Sequence, residues 1–262
     1  MISKKIMNLK YWSAFIAVLA LTSCRTPVVL NRIDPEKNIS VSENLPEDQN
    51  LVEVIAPYKT ELEGKMNTRL SHTAVDLNKQ GDNSNLGNLL ADFTFEGAQE
   101  WAKKNGMPAV DAAVINIGGI RTSIGKGAIL SRHIYEVMPF ENEVVIVKMT
   151  GEQIAALFDY YRSSQKNNPV SRLVIETDAG KPVRYLIAGN PVNRNQTYYI
   201  ATSDYLAAGG DNMRFFTGGQ IINTGIRMRD LFMDKFKANP EVKAPGDLRL
   251  IFKNKPNRTN NE

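Results

Sequence analysis

Apolar residues at helical spacing stand out most clearly in residues 85–104. The positions on their common face are Leu86, Leu89, Leu90, Phe93 and Trp101. Ser84 or Asn85 can accept hydrogen bonds from the free amides of a first helical turn, and Gly106 with Pro108 ends the run. The pattern predicts a helix over residues 85–104 with one face in a protein core.

Other stretches carry the same spacing. In residues 151–161 the apolar face consists of Ile154, Leu157 and Phe158. Residues 51–66 begin as a helix, a short helix precedes the segment "MPFENE", and residues 225–236 form a late helix. Several helices are therefore predicted along the folded part of the chain.

Short apolar runs rich in β-branched residues alternate with these helices and are typical of strands. They lie at residues 66–77, 111–117, 143–149, 171–178, 183–189, 197–203 and 247–252. Strands and helices follow one another without a strict βαβ order. This predicts an α/β or α+β domain with a mixed β-sheet and packed helices over residues 51–262.

The first residues form a leader that does not belong to this domain. Lys4, Lys5 and Lys10 make its start basic, and the apolar segment "WSAFIAVLAL" is too short to span a bilayer. The segment ends in "LTSC", which resembles the lipobox of bacterial lipoproteins. The sequence predicts a signal peptide over residues 1–23 and lipidation at Cys24; the alternative is an ordinary signal peptide with an unmodified cysteine.

Residues 24–50 are polar and contain no aromatic side chain, so they are predicted to form a flexible tether. Removal of the three leader lysines lowers the formal net charge from +4 to about +1, since no acidic residue precedes Cys24. A nearly neutral domain lacks the clustered positive charge that binds a phosphate backbone, so no nucleic-acid partner is predicted. Cys24 is the only cysteine, so the exported domain holds no disulfide of its own.

The segment "NIGGIR" directly follows a predicted strand and is the first candidate binding segment. Asn116 opens it, and the adjacent Gly118 and Gly119 let the backbone approach a ligand closely. Arg121 offers a planar fork of donors that suits phosphate oxygens. A tight turn with no ligand is the alternative interpretation.

Two aromatic residues lie in predicted loops. Phe140 follows the short helix in "MPFENE", and Tyr205 precedes a second glycine-rich turn in "SDYLAAGGDN", where Gly210 stands before Asp211. Each aromatic ring either fills the core or faces a ligand, and the pattern alone does not decide between the two.

Four segments occur in the order "NLGNLLAD", "NIGGIR", "IYEVMPFENEVVIVKMTGEQI" and "YLAAGGD" between residues 66 and 252. Together they resemble the C-terminal domain of the 5′-nucleotidase family, which also contains UDP-sugar hydrolases and 2′,3′-cyclic-nucleotide phosphodiesterases. In that family this domain holds the nucleotide, and a separate N-terminal domain carries two metal ions and cleaves the phosphate ester. The resemblance implies the fold of that domain and a nucleotide or nucleoside ligand.

The resemblance also implies roles for individual residues. Phe140 and Tyr205 would sandwich the base, since every base has a face on which an aromatic ring can stack. Asp211 would accept hydrogen bonds from ribose hydroxyls, Asn116 would bond the base or sugar edge, and Arg121 would face the phosphate. The predicted substrate-binding set is Asn116, Gly118, Gly119, Arg121, Phe140, Tyr205, Gly210 and Asp211.

Three positions depart from the family pattern. Asp82 and Asn83 stand where members often carry an arginine and a glutamate that contact phosphate, and Arg172 stands where a glycine is usual. Contact with a phosphate group is therefore left open, and a nucleoside or nucleobase is an alternative ligand.

Catalysis by the chain alone is not predicted. A two-metal phosphatase centre needs several histidines together with aspartates and an asparagine, and the sequence holds only His72 and His133, outside any such string. We therefore predict no catalytic residue, metal or cofactor on this chain, and expect divalent metals on a separate metallophosphatase chain.

Three functions stay open at this point. The first is a nucleotide-binding subunit of a 5′-nucleotidase system, exported, lipid-anchored to a bacterial membrane on its periplasmic side, and acting with a separately encoded metallophosphatase. The second is a stand-alone lipoprotein that captures nucleosides or nucleotides for uptake. The third is a scaffold that has lost ligand binding.

Overall fold

The computed structural model describes residues 46–255 and the single residue 38. The predicted signal peptide, Cys24 and most of the predicted tether lie outside the described residues. In the part of the chain that the structure describes, no helix is both long and apolar enough to cross a bilayer. The first helix, α1 (Gln49–Met66), begins two residues inside the predicted tether, and none of its side chains is buried.

A five-stranded mixed sheet forms the centre of the compact unit Glu53–Glu262. In spatial order its strands are β10 (Gln220–Arg227), β4 (Glu143–Thr150), β9 (Thr197–Ser203), β2 (Ala112–Val114) and β5 (Val170–Ser171). β2 and β9 run parallel, and the other neighbouring strands are antiparallel. The predicted mixed sheet with packed helices is confirmed.

Helices cover both faces of this sheet. They are α2 (Asn85–Lys104), α3 (Ser131–Val137), α4 (Gly151–Ser164), α5 (Asp204–Ala207) and α6 (Met228–Ala238). Successive side chains of a strand point to opposite faces, so Val144 and Ile146 of β4 pack into a core with α2, α3 and α6. Val145 and Val147 pack on the other face with α4. The central sheet is therefore the middle of three layers.

Two smaller sheets complete the fold. One has the order β11 (Leu250–Lys253), β6 (Leu173–Asp178), β7 (Lys181–Ile187) and β8 (Asn190–Pro191), and the other pairs β1 (Arg69–Thr73) with β3 (Gly127–Leu130). Leu173 of β6 and Leu250 of β11 belong to the core that also contains α4. The four-stranded sheet therefore closes that side of the molecule.

The helix predicted over residues 85–104 is confirmed at both ends. Ser84 is its N-cap, and its hydroxyl oxygen accepts a hydrogen bond from the Gly87 amide at 3.2 Å. A Cβ on Gly87 would lie 2.3 Å from that hydroxyl oxygen, so the cap also requires the glycine. Local sequence alone specifies this element, because its cap and its apolar face lie within the same segment.

The predicted start of the late helix is wrong. Residues 225–227 belong to strand β10, and α6 begins at Met228. β10 pairs along its length with β4, and the buried hydroxyl of Thr224 donates to the carbonyl oxygen of Val144 at 2.6 Å. Pairing with a distant strand therefore overrides the helical pattern of these residues.

The strand predicted over residues 111–117 is shorter than expected, since β2 ends at Val114. The next amide, that of Ile115, donates to the carbonyl oxygen of Pro169 at 3.0 Å, outside the β2–β9 pairing. Residues 117–119 then form a 3₁₀ turn. The chain therefore leaves the sheet at the first glycine-rich segment.

Candidate functional site

A cavity of about 400 Å³ opens beside the ends of β2 and β9. Its lining residues are Ile115, Asn116, Gly118, Gly119, Arg121, Met138, Phe140, Asn142, Ser203, Tyr205, Asp211 and Met228. Seven of the eight predicted substrate-binding residues are in this lining, and Gly210 is next to one of them. A cavity of this volume fits a small organic molecule.

The first glycine-rich turn shapes one side of the cavity. Asn116 has an extended backbone, and its side chain lies over Gly119, where a Cβ would stand 2.8 Å from the amide oxygen. Gly119 is therefore needed for the close approach of the Asn116 side chain. Arg121 bonds back to the turn, since its Nη1 donates to the Gly118 carbonyl oxygen at 3.2 Å.

The second glycine-rich turn shapes the adjoining part of the lining. β9 ends at Ser203, whose hydroxyl oxygen accepts from the Leu206 amide and caps the short helix α5. Gly210 lies against the Tyr205 ring, and a Cβ there would stand 2.5 Å from a ring carbon. The missing side chain at Gly210 therefore lets the Tyr205 ring lie against the backbone of the turn.

Asp211 joins the two turns. Its Oδ2 accepts from Asn116 Nδ2 at 2.8 Å, and its Oδ1 accepts from the Tyr205 hydroxyl at 3.0 Å. The Tyr205 hydroxyl in turn accepts from the Asp211 amide at 3.2 Å. A carboxylate offers about four acceptor sites, so about two remain for the hydroxyl groups of a ligand.

Phe140 and Tyr205 are both exposed on the cavity. Phe140 is 43% exposed and Tyr205 is 47% exposed, although large aromatic side chains are usually well buried. Neither ring fills the core. The Arg121 guanidinium lies 6.0 Å from the centre of the Phe140 ring, so cation and aromatic face lie on the same side of the cavity.

An ion pair anchors the loop that carries Phe140. Glu141 contacts Arg229 through a short charge-assisted hydrogen bond, and Arg227 through a 3.5 Å ion pair. The Arg229 guanidinium also lies 4.6 Å from the centre of the Tyr135 ring. The hydrogen bond from Arg229 holds the pKa of Glu141 below its ordinary value of 4.5. Glu141 therefore stays ionised and fixes the loop to the start of α6.

We expect Glu141→Gln to lower the free energy of unfolding in a pH-dependent way. Because the folded pKa of Glu141 is lowered, the ion pair stabilises the fold fully above about pH 4.5 and less as pH falls through the folded value. The difference between variant and wild type, measured by urea denaturation, should be constant near neutral pH and shrink in acid. A difference that grows in acid would contradict this assignment.

Asn142 and Ser203 line the cavity, but the sequence alone did not single them out. Asn142 stands two positions after Phe140 in the same loop, and its amide can both donate and accept hydrogen bonds. Ser203 also caps α5, so its hydroxyl has a structural partner already. The position of Asn142 beside an exposed aromatic residue was the only signal that could have found it.

The residues that depart from the family pattern have structural partners. Asn83 Oδ1 accepts from the amides of Arg249 and Leu250, which holds the start of β11. Asp82 forms an ion pair with Lys255 at 2.7 Å. Arg172 has a positive φ of 59°, as a glycine would tolerate, and it lines a separate depression. None of these three residues borders the cavity.

The two histidines make structural contacts. His72 Nδ1 lies 2.9 Å from Glu241 Oε2, and His133 Nδ1 accepts from the Leu130 amide at 3.2 Å. Burial lowers the pKa of His133. Among the described residues, no group of three or more histidine, cysteine, aspartate or glutamate side chains has the arrangement of a metal site.

Comparison with known proteins identifies the family of this domain. Residues 63–218 match the family described as "5′-nucleotidase, C-terminal domain". The trifunctional nucleotide phosphoesterase protein YfkN of Bacillus subtilis is 28% identical over 202 residues, and a 5′-nucleotidase of Vibrio vulnificus is 24% identical over 218 residues. These alignments cover 68% and 79% of this chain, but 13% and 37% of the two relatives.

A solved structure has the same fold. The 5′-nucleotidase precursor from Thermus thermophilus superposes with a TM-score of 0.64 and 28% identity, over 80% of this chain and 44% of that one. The chain thus spans less than half the length of these relatives. Since the family match runs from residue 63 to 218 and includes every predicted binding residue, the chain belongs to the 5′-nucleotidase C-terminal domain family.

Proposed function

We propose that this chain binds the nucleotide or nucleoside substrate of a 5′-nucleotidase system and presents it to a metallophosphatase made as a separate chain. The observation that carries the proposal is the cavity itself, with two half-exposed aromatic rings and one carboxylate on its lining. Lipidation at Cys24, predicted from the sequence, would hold the exported chain at a membrane surface.

The base would lie between Phe140 and Tyr205. An exposed aromatic pair on one cavity is a costly arrangement without a ligand, because both rings leave apolar surface in water. Stacking on a base removes that surface from water, and any base can stack because every base has an aromatic face. The Asn142 amide, on the same lining, can distinguish bases by the donors and acceptors on their edges.

The sugar would lie against Asp211. Its carboxylate keeps free acceptor sites after bonding Tyr205 and Asn116, and ribose offers two neighbouring hydroxyl donors. Arg121 would meet a phosphate group beyond the sugar, since among the described residues it is the only arginine or lysine on the lining. One cation is consistent with a monophosphate or with a ligand that has no phosphate.

The hydrolytic step would come from the partner chain. Phosphate ester hydrolysis of this class needs two metal ions that clamp the attacking and leaving oxygens. The described residues hold no group of histidine, cysteine, aspartate or glutamate side chains that could bind such ions, so we assign that centre to a second component. This chain would supply binding and orientation.

The decisive experiment measures inorganic phosphate released from AMP. Three samples are compared in the presence of Mn²⁺: the chain alone, a metallophosphatase chain from the same organism alone, and both together. We expect release to rise only when both are present, and to fall again with Phe140→Ala in place of the wild-type chain. Lack of stimulation by every metallophosphatase chain of that organism would contradict the proposal.

Calorimetry with the isolated chain separates the proposed subunit from a capture lipoprotein. The cavity has both aromatic walls on one chain, which favours binding without a partner. Micromolar or tighter binding of adenosine or AMP, with no phosphate release in the assay above, would support capture for uptake. Weak binding that tightens when the metallophosphatase chain is added would support the subunit role.

A further inference from the structure

Buried Asn168 forms hydrogen bonds to three other residues, although it does not line the cavity. It is 1% exposed and lies between α4 and β5. Its Oδ1 accepts from the Ile117 amide at 3.0 Å, and its Nδ2 donates to the Tyr160 hydroxyl at 3.1 Å. Its backbone oxygen accepts from the Tyr161 hydroxyl at 3.0 Å. Asn168 therefore ties the first glycine-rich turn to helix α4.

Tyr160 continues this connection to the second glycine-rich turn. Its hydroxyl donates to the Asp211 carbonyl oxygen at 3.2 Å. Burial raises the pKa of Tyr160, so the hydroxyl keeps its proton and stays a donor. Its ring is held edge-on by Tyr161 and Phe215, with ring centres 5.5 Å apart in both pairs. The hydroxyl position is therefore set by packing on two sides.

Asp211 needs such support because its backbone is in the left-handed region, at φ 51° and ψ 27°. Aspartate adopts this conformation more often than most residues other than glycine, but it is still uncommon, so bonds from the rest of the protein help to hold the turn. Tyr160 binds the carbonyl oxygen, Tyr205 binds the amide and one carboxylate oxygen, and Asn116 binds the other. Every polar group of Asp211 thus has a partner in the protein.

We propose that Asn168 and Tyr160 are positioning residues that set the place of the Asp211 carboxylate for the sugar of the ligand. They connect the two turns that line the cavity, and neither residue is part of the lining itself. This inference rests on the proposed function. Packing alone would not require Asn168 to bond both the first turn and the Tyr160 hydroxyl that reaches the second turn, whereas a fixed separation between the turns does.

The test compares a nucleoside with its free base. Tyr160→Phe removes one oxygen atom and keeps the ring that packs on Phe215. It leaves the Asp211 carbonyl oxygen and Asn168 Nδ2 without this partner, so Asp211 keeps its bonds to Tyr205 and Asn116 but loses its connection to α4. We expect affinity for adenosine to fall about 5- to 30-fold, and affinity for adenine, which has no sugar, to change by less than about twofold.

Tyr161→Phe is the matched control. Tyr161 is the neighbouring residue, is fully buried, and also donates to Asn168, but it does not contact Asp211. Loss of its hydroxyl should lower the thermal unfolding temperature and leave the ratio of adenosine to adenine affinity unchanged. Asn168→Ala, which breaks the same connection from its other end, should change that ratio in the direction of Tyr160→Phe.

The outcomes of the calorimetric titrations distinguish failure of the proposed function from failure of the positioning role alone. If the wild-type chain binds none of AMP, adenosine, adenine, uridine and uracil, either alone or with the metallophosphatase chain added, the proposed function fails, and this inference fails with it. If the wild-type chain binds them and Tyr160→Phe weakens nucleoside and base equally, or weakens neither, only the positioning role is overturned. An equal change of the ratio in Tyr161→Phe would also overturn it.

Discussion

The Phe140→Ala variant should bind adenosine about 5- to 150-fold more weakly than the wild-type chain, and Tyr205→Ala at least as weakly. Truncation of a ring that stacks on a base costs about 1 to 3 kcal/mol of binding free energy. Tyr205 also bonds Asp211, so its removal weakens the base and the sugar contacts together. Isothermal titration calorimetry measures both variants directly.

Two further variants make this result specific. Tyr205→Phe keeps the ring and removes only the bonds to Asp211, so its loss of affinity should be smaller than that of Tyr205→Ala. Tyr58→Ala removes another tyrosine, 73% exposed on α1 and outside the cavity lining, and should leave affinity unchanged. If Phe140→Ala and Tyr205→Ala bind adenosine like the wild type, the two rings do not form the ligand site; if none of the three proteins binds it, the chain is a scaffold that has lost ligand binding.

The two exposed rings also explain a feature of the loops that carry them. Each loop is fixed by charge or by hydrogen bonds, through Glu141 and Arg229 on one side and through Asp211 on the other. A fixed ring loses little conformational freedom when a ligand binds, which favours affinity. These contacts therefore hold the two rings in place, although the rings themselves are only partly buried.

Local sequence signals predicted the elements whose determinants lie close together in the chain. Helix α2 has its cap at Ser84 and its apolar face within twenty residues, so both ends could be predicted. The β4 strand could be predicted from its run of β-branched residues, which are buried on both faces of the sheet. In these segments local preference and final packing agree.

The sequence predicts which residues form the site, but it does not predict which of them contact one another. The order of four motifs selected Phe140, Tyr205 and Asp211, and the fold brings them to one cavity. The bond between Asn116 and Asp211 joins residues 95 positions apart, and no local pattern indicates it. Asn168 was missed for the same reason, since its bond to Ile117 joins residues 51 positions apart.

Strand β10 could not be predicted because its three isoleucines do not alternate with polar residues and it lies at an edge of the sheet. Most of its residues are exposed, so the alternation that marks a half-buried strand is weak. Its place depends on β4, with a bulge between Asn223 and Ile226 and a positive φ of 70° at Gly225. Pairing with β4 therefore determines the conformation of residues 225–227, although their local sequence predicts a helix.

Arg249 organises a second region that the sequence did not reveal. It is 7% exposed and directly precedes β11. Its guanidinium bonds both carboxylate oxygens of Asp92 at 2.8 Å, and both of Asp247 at 2.7 and 3.0 Å. It also donates to the carbonyl oxygens of Asn88 and Val170. One side chain therefore joins α2, β5 and the C-terminal strand.

We expect Arg249→Ala to lower the free energy of unfolding by about 3 kcal/mol. Removal of one member of a buried ion pair leaves the other charge without a partner, which typically costs about 3 to 5 kcal/mol. The lower end applies because Asp92 keeps some access to water, with 27% of its side chain exposed. Guanidinium chloride denaturation followed by circular dichroism measures the change.

The control is an ion pair of similar chemistry on the surface. Arg194 contacts Glu152 at 3.1 Å, but both side chains are about two-thirds exposed, so Arg194→Ala should cost less than about 1 kcal/mol. Adding Asp92→Asn to Arg249→Ala should recover part of the lost stability, because it removes the unpaired charge. If Arg249→Ala is no more destabilising than Arg194→Ala, the buried network does not hold the C-terminal strand in the way its geometry indicates.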